Sequence, residues 1–295
     1  MLNSIKKSFN IIKDNPFITL YFVLYLIVLF LIIPFLAGRN IILGMIIGVL
    51  ILLLTCAFVS GWFNMIKAST VHYKENKTPE EKLEEALKLK NDFFCGVSGY
   101  ILPIIAGTIL TIALFYLHSY LSDVIFGKID TVIYELSKYA NDAEALRNYF
   151  VSLPNSTWAV IFKKGIFSYI ACNLITLFFL YWGASLYLNK DCSTNPFFAI
   201  VDSIKTMFKK FPQTFLVFIL LTLANFVLIS LQAIFIENVI ISFITMILRI
   251  YFAAYMIVLI FDLYESDKTK ICEKICIKNN SDNRTDSIGE NGISN

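Results

Sequence analysis

Charge is scarce in this chain. Of 295 residues only 16% are Asp, Glu, Lys or Arg, where soluble domains carry about a quarter. The net charge of +3 is spread over the whole length, so few phosphates would be neutralised, and no basic helix or aromatic-interleaved patch marks a nucleic-acid surface. Nucleic acid is therefore excluded as a partner.

The motifs of common enzymes are missing too. There is no Walker loop, no GxGxxG, no HExxH and no GxSxG. The chain has only 2 histidines, His72 and His118, and the topology below puts them on opposite sides of a membrane. Six cysteines occur, Cys56, Cys95, Cys172, Cys192, Cys272 and Cys276. None falls in the segment assigned outside, so disulfides are not expected. Cys272 and Cys276 can share a helix face, but a structural zinc needs four ligands at other spacings. The expectation is a protein without catalytic residues, cofactor or metal.

Apolar residues make up the balance. They are 57% of the chain, with 27 Phe and 15 Tyr, and the mean hydropathy is +0.69. Lipid is the expected solvent for most of it. A bilayer core of about 30 Å takes roughly 20 apolar residues at 1.5 Å each. That ruler picks out six spans, at 16–37, 41–65, 96–118, 165–188, 214–236 and 239–262. The first follows Lys6, Lys7 and Lys13, but its core from Phe17 to Ala37 is too long for a signal-peptide h-region. It reads as a retained anchor.

Lysine and arginine counts orient the bundle. Three precede span one, six lie in 66–95, four in 189–213 and five in the tail; the opposite side has one, five and none. All five of the latter fall in the long 119–164 loop, and long loops translocate largely regardless of charge. Both ends are accordingly expected in the cytoplasm, with the protein multi-pass in the plasma membrane.

A pattern recurs before each hairpin of spans, in which a basic amphipathic helix leads into the membrane. Leu2, Ile5, Phe9 and Ile12 precede Asn15-Pro16-Phe17; Leu83, Ala86, Leu87 and Phe94 precede Pro103; Phe197, Val201, Ile204, Phe208 and Phe211 precede Pro212. Each apolar face suits the cytoplasmic headgroup layer, with its lysines on anionic lipid. Each hairpin also ends in an aromatic-plus-small cluster: Gly61-Trp62-Phe63, Tyr181-Trp182-Gly183-Ala184-Ser185 and Tyr251-Phe252-Ala253-Ala254-Tyr255. The expected fold is all-α, a six-span helical membrane bundle over 1–265 with cytoplasmic interfacial helices and a threefold helix-plus-hairpin repeat.

Outside that frame, Leu121, Ile125, Ile129, Val132, Leu136 and Tyr139 predict a helix in the outer loop, and Asp142 predicts the cap of a second through Phe150. Asn155-Ser156-Thr157 is read as interfacial loop. From Ser266 to Asn295 hydrophobicity collapses, which predicts a disordered cytoplasmic tail. The thrice-repeated layout resembles uncharacterised bacterial six-span membrane families and, more loosely, the membrane domain attached to some glycerophosphodiester phosphodiesterases. The metal-binding acidic and histidine residues of the soluble phosphodiesterase domain have no counterpart here, so the resemblance implies no hydrolase activity.

Arg249 stands out in this setting. It falls near the middle of span six, where a guanidinium costs on the order of 2.5–3.5 kcal/mol. With a turn at Glu237-Asn238, Arg249 lies level with Asn225, and Ser242 with Gln232. Ser242, Thr245 and Arg249 share one helix face, and Thr222, Asn225 and Gln232 share another; Asn173 in span four enters at similar depth. These polar stripes read either as interhelical glue or as a polar cleft for an anionic group such as a lipid phosphate or small carboxylate.

The leading functional expectation is a non-enzymatic membrane protein with membrane lipid as partner, either envelope- or lipid-associated or part of a transport system. A transporter or permease subunit with its cleft at Arg249 is the alternative. Intramembrane acids are scarce and no matched broken helices are evident, which weighs against it. An intramembrane lipid enzyme would need a nucleophile or base that Asn173, Asn225, Gln232 and Arg249 do not offer.

Overall fold

The computed structural model describes the backbone of 2–36, 41–74, 78–139, 142–189, 195–234 and 238–286, with side chains to Ser266 apart from a few within helices. Among the described residues the chain is almost wholly helical, without strands. Six helical segments are long and apolar enough to cross a membrane. The most apolar stretches of five of them are only 6–11% buried within the protein, as expected of surfaces whose solvent is lipid. The hairpin turns expected at 38–40 and 237–238 lie largely outside the described residues.

The helices are α1 (Leu2–Asp14), α2 (Pro16–Leu36), α3 (Ile41–Val71), α4 (Pro79–Phe126), α5 (Asp130–Lys138), α6 (Ala143–Ser152), α7 (Asn155–Phe179), α8 (Trp182–Leu188), α9 (Pro196–Lys209), α10 (Phe211–Ile234) and α11 (Val239–Asp286). Two compact units divide them, one formed by 1–105 and 180–295, the other by 106–179.

In the larger unit the chain breaks where the sequence chemistry demands it. Pro16 has no N–H and disfavours helical backbone at Asn15, so α1 ends there; the Asn15 amide turns back to donate to the Ile11 carbonyl at 3.2 Å. Asn195 caps α9 by accepting from the N–H groups of Phe197 and Phe198, with Pro196 in the first turn. Thr78 and Glu81 exchange hydrogen bonds at the start of α4, a capping box. The second amphipathic segment differs from the other two: 80–94 continues without interruption as the first half of α4, whereas α1 and α9 are separate helices. Hydropathy also hides a break in the fourth apolar segment, where a turn at Leu180 and Tyr181 separates α7 from α8.

Burial in this unit gathers at one end of the spans. The inner faces of α1, the last turns of α3, α8, α9, the first turns of α10 and α11 from Ala254 to Tyr264 supply most of its fully buried residues. α11 is the hub and packs on α1, α2, α3, α8 and α10. Indole and phenol groups stitch the end together, since each brings apolar area and one donor. Trp62 donates to the Ile18 carbonyl at 2.8 Å, Trp182 to the Pro196 carbonyl at 3.2 Å, and Tyr187 to the Ser60 carbonyl at 2.9 Å. α3 and α4 approach closely at Gly96, where an added Cβ would lie 2.6 Å from the Ser60 carbonyl oxygen.

The smaller unit contains the latter part of α4 with α5, α6 and α7. Lys164, 8% exposed, pairs with Asp123, and His118 lies 3.1 Å from the Ser168 hydroxyl. Asp142 caps α6 through the N–H groups of Glu144 and Ala145, as its position predicted. The helix expected from Leu121 to Tyr139 is instead two elements. Leu121 and Ile125 belong to α4, which stops at Gly127, the residue with φ of 86°, a conformation that favours glycine. Asn155-Ser156-Thr157, expected as loop, is the first turn of α7.

Candidate functional site

α10 and α11 carry the polar stripes, and their geometry gives Arg249 a partner other than the residue level with it. The Arg249 guanidinium donates to the Gln232 side-chain carbonyl at 2.7 Å, a residue nearer the turn than Asn225. Helix side chains tilt toward the N-terminus of their own helix. In an antiparallel hairpin Arg249 therefore leans toward the turn and Gln232 leans away from it, so the two meet although their Cα atoms are not level. Counting backbone depth alone overlooks this lean.

Arg249 and Asn225 do share a cavity. Its volume is about 440 Å³, and it lies between α2, α10 and α11. Arg249 and Asn225 are the two polar residues among twelve that line it; the others include Phe22, Leu26, Ala253 and Met256. A guanidinium has five N–H donors. Gln232 takes one of them, and among the described residues no carboxylate pairs with Arg249.

The remaining members of the stripe do other things. Thr245 is buried, and its hydroxyl donates back to the Ile241 and Ser242 carbonyls at 2.9 Å, as threonine commonly does within a helix. It does not reach across the hairpin. Thr222 is exposed. Asn173 belongs to the smaller unit, where its amide donates to the Tyr169 carbonyl of its own helix at 2.6 Å.

A second polar cluster, at the buried end of the larger unit, escaped the reading of the sequence. Lys7 on α1 reaches Asp262 on α11 at 2.6 Å, and Glu265 at 3.6 Å. On α9, Asp202 accepts from Ser185 at 2.6 Å and from the Tyr264 hydroxyl. Ser203 accepts the Tyr181 N–H at 3.1 Å, satisfying backbone left open by the break before α8. Lys210 donates to the Leu263 carbonyl at 2.6 Å. A signal was present in the sequence: Asp262 interrupts the apolar run Ile260-Phe261-Asp262-Leu263, and an acid so placed needs a partner. Ser185 and Tyr264 both bond to Asp202, and with the Lys7–Asp262 pair they tie α1, α8, α9 and α11 together.

No protein family, curated protein or solved structure matches the chain.

Proposed function

We propose that the chain is a non-enzymatic, lipid-associated protein of the plasma membrane that holds an anionic group in the cleft between α2, α10 and α11. The observation that carries this reading is Arg249, with donors to spare and, among the described residues, no acid beside it, in the wall of a cavity it shares with Asn225 and ten apolar residues. An arginine kept at such a place is costly, and an anion bound there would offset that cost with charge-assisted hydrogen bonds. Interhelical glue needs only the single bond to Gln232.

Two substitutions separate the roles. Arg249→Gln keeps donors but loses the charge. It should leave thermal stability within about 0.5 kcal/mol while abolishing complementation of a deletion strain, and Arg249→Lys should retain part of that function. Full complementation by Arg249→Gln would reduce the residue to glue.

The same reading places the N-terminus, the 66–95 loop and the tail in the cytoplasm, with α1 and α9 along the headgroup layer; Phe9, Phe197 and Phe208 on those helices are exposed. Cysteines at Ser4, Thr78 and Ser137, in a background freed of native cysteine, test the orientation with an impermeant thiol reagent. In intact cells only the one at Ser137 should react. Labelling of the first two with protection of the third would reverse it.

A permease subunit is the second reading, favoured by the same arginine, since an ionisable group among membrane helices often marks a substrate pathway. An ATPase encoded beside the gene would support it; a neighbouring lipid enzyme would support the first.

A further inference from the structure

We infer that the ligand of the Arg249 cleft is an anion bearing an acyl chain, its head on Arg249 toward the α10–α11 turn and its chain running toward the α1 end. The inference rests on the reading of the cleft as an anion site and names what that site takes.

The cavity is polarised along its length. On α11 its lining runs from Arg249 to Ile260, eleven residue steps, or about 16 Å of helix axis at 1.5 Å each. Arg249 is the first of these residues, and its side chain leans further toward the turn, to Gln232. Asn225, the other polar group, is about level with it across the hairpin. Past these two, the lining toward the α1 end is apolar, from Ala253, Met256, Ile257 and Ile260 on α11 to Phe22 and Leu26 on α2.

A small anion would satisfy the guanidinium and leave this apolar length unfilled. Water is a poor occupant there, because a buried water needs two to four polar partners and the lower cavity has none among its lining residues. An acyl chain matches the surface, and its burial there is favourable where the alternative is water. In a bilayer the chain's alternative is other lipid, so selection falls to the head, and Arg249 provides it. Carboxylate and phosphate heads share the needed chemistry, an oxyanion that accepts two parallel N–H bonds.

The test uses the full chain in nanodiscs of zwitterionic lipid, with spin-labelled stearate, its uncharged methyl ester, and a spin-labelled anionic phospholipid as probes. The protein-immobilised fraction should show stearate favoured over the ester by about ten-fold, the fold-change of one modest charge-assisted hydrogen bond. The phospholipid probe decides whether a phosphate head is taken as well as a carboxylate. Arg249→Gln should remove the preference. Ala253→Phe, which fills the apolar part and leaves the head site intact, should remove it too, and Ile257→Trp serves as a second block about one turn further along α11. Butyrate, an anion with almost no chain, should not displace the stearate.

If butyrate displaces stearate, or both blocking variants keep the preference, the ligand is a small anion and the acyl-chain inference fails while the cleft reading stands. If the preference persists in Arg249→Gln, the cleft reading itself fails.

Discussion

Lys7→Met is expected to lower the unfolding free energy by about 3 kcal/mol, the low end for removing one partner of a buried ion pair. The Asp262 side chain is 3% exposed, and Lys7, 2.6 Å away, is the one cation paired with it among the described residues. Methionine leaves that carboxylate buried without its counter-charge, and Glu265 nearby repels it further. The reverse change is milder: in Asp262→Asn the lysine, 33% exposed, can turn to water. An expected cost of about 1 kcal/mol follows, the ordinary scale of a hydrogen bond lost without a stranded charge. Lys7→Met combined with Asp262→Leu should recover most of the stability, because an apolar pair of similar volume often replaces a buried ion pair without loss. Denaturation of these proteins and of Asp262→Leu alone in one detergent closes the cycle. A Lys7→Met protein as stable as the parent, or a double variant weaker than both singles, would show that the pair does not hold α1 to α11.

The helical class and six apolar segments were legible because lipid imposes a length rule and a composition rule, and 57% apolar content meets both. The Asp142 cap was legible because capping is local. The errors came where neighbours decide. Leu121 to Tyr139 keep helical spacing, yet one glycine at Gly127 divides them. Leu180 and Tyr181 sit in an apolar run that no hydropathy window would interrupt, but Ser203, on another helix, offers the Tyr181 N–H a partner. Arg249 was found from its cost alone. Its bond to Gln232 rather than Asn225 depended on side-chain lean, which numbering along a hairpin leaves out. Lys7 and Asp262 are 255 residues apart, and nothing in their local sequence pairs them.

Two glycines three residues apart on α4 are expected to respond to alanine with opposite signs. At Gly99 nothing lies within 4 Å of an added Cβ. Alanine there should stabilise by about 0.5–1 kcal/mol, the difference in helix propensity. At Gly96 the Cβ would fall 2.5 Å from the Asn64 Cβ, 2.6 Å from the Ser60 carbonyl oxygen and 3.0 Å from the Gly61 Cα. Two of those three atoms are backbone and the other is fixed to it, so no rotamer change relieves the clash and α3 must move away from α4. That motion would stretch the bond from the Asn64 amide to the Asp92 carbonyl, now 2.7 Å, and loosen Phe93 from Phe58, whose ring centroids are 6.3 Å apart. Overpacking of this kind costs about 1–3 kcal/mol, more than propensity returns. Small residues permit such close helix approach in membranes, where packing and hydrogen bonds drive association. Thermal and denaturant unfolding of the two variants beside the parent decide the matter. Gly96→Ala at or above the parent's stability would mean that α3 and α4 do not meet at this glycine.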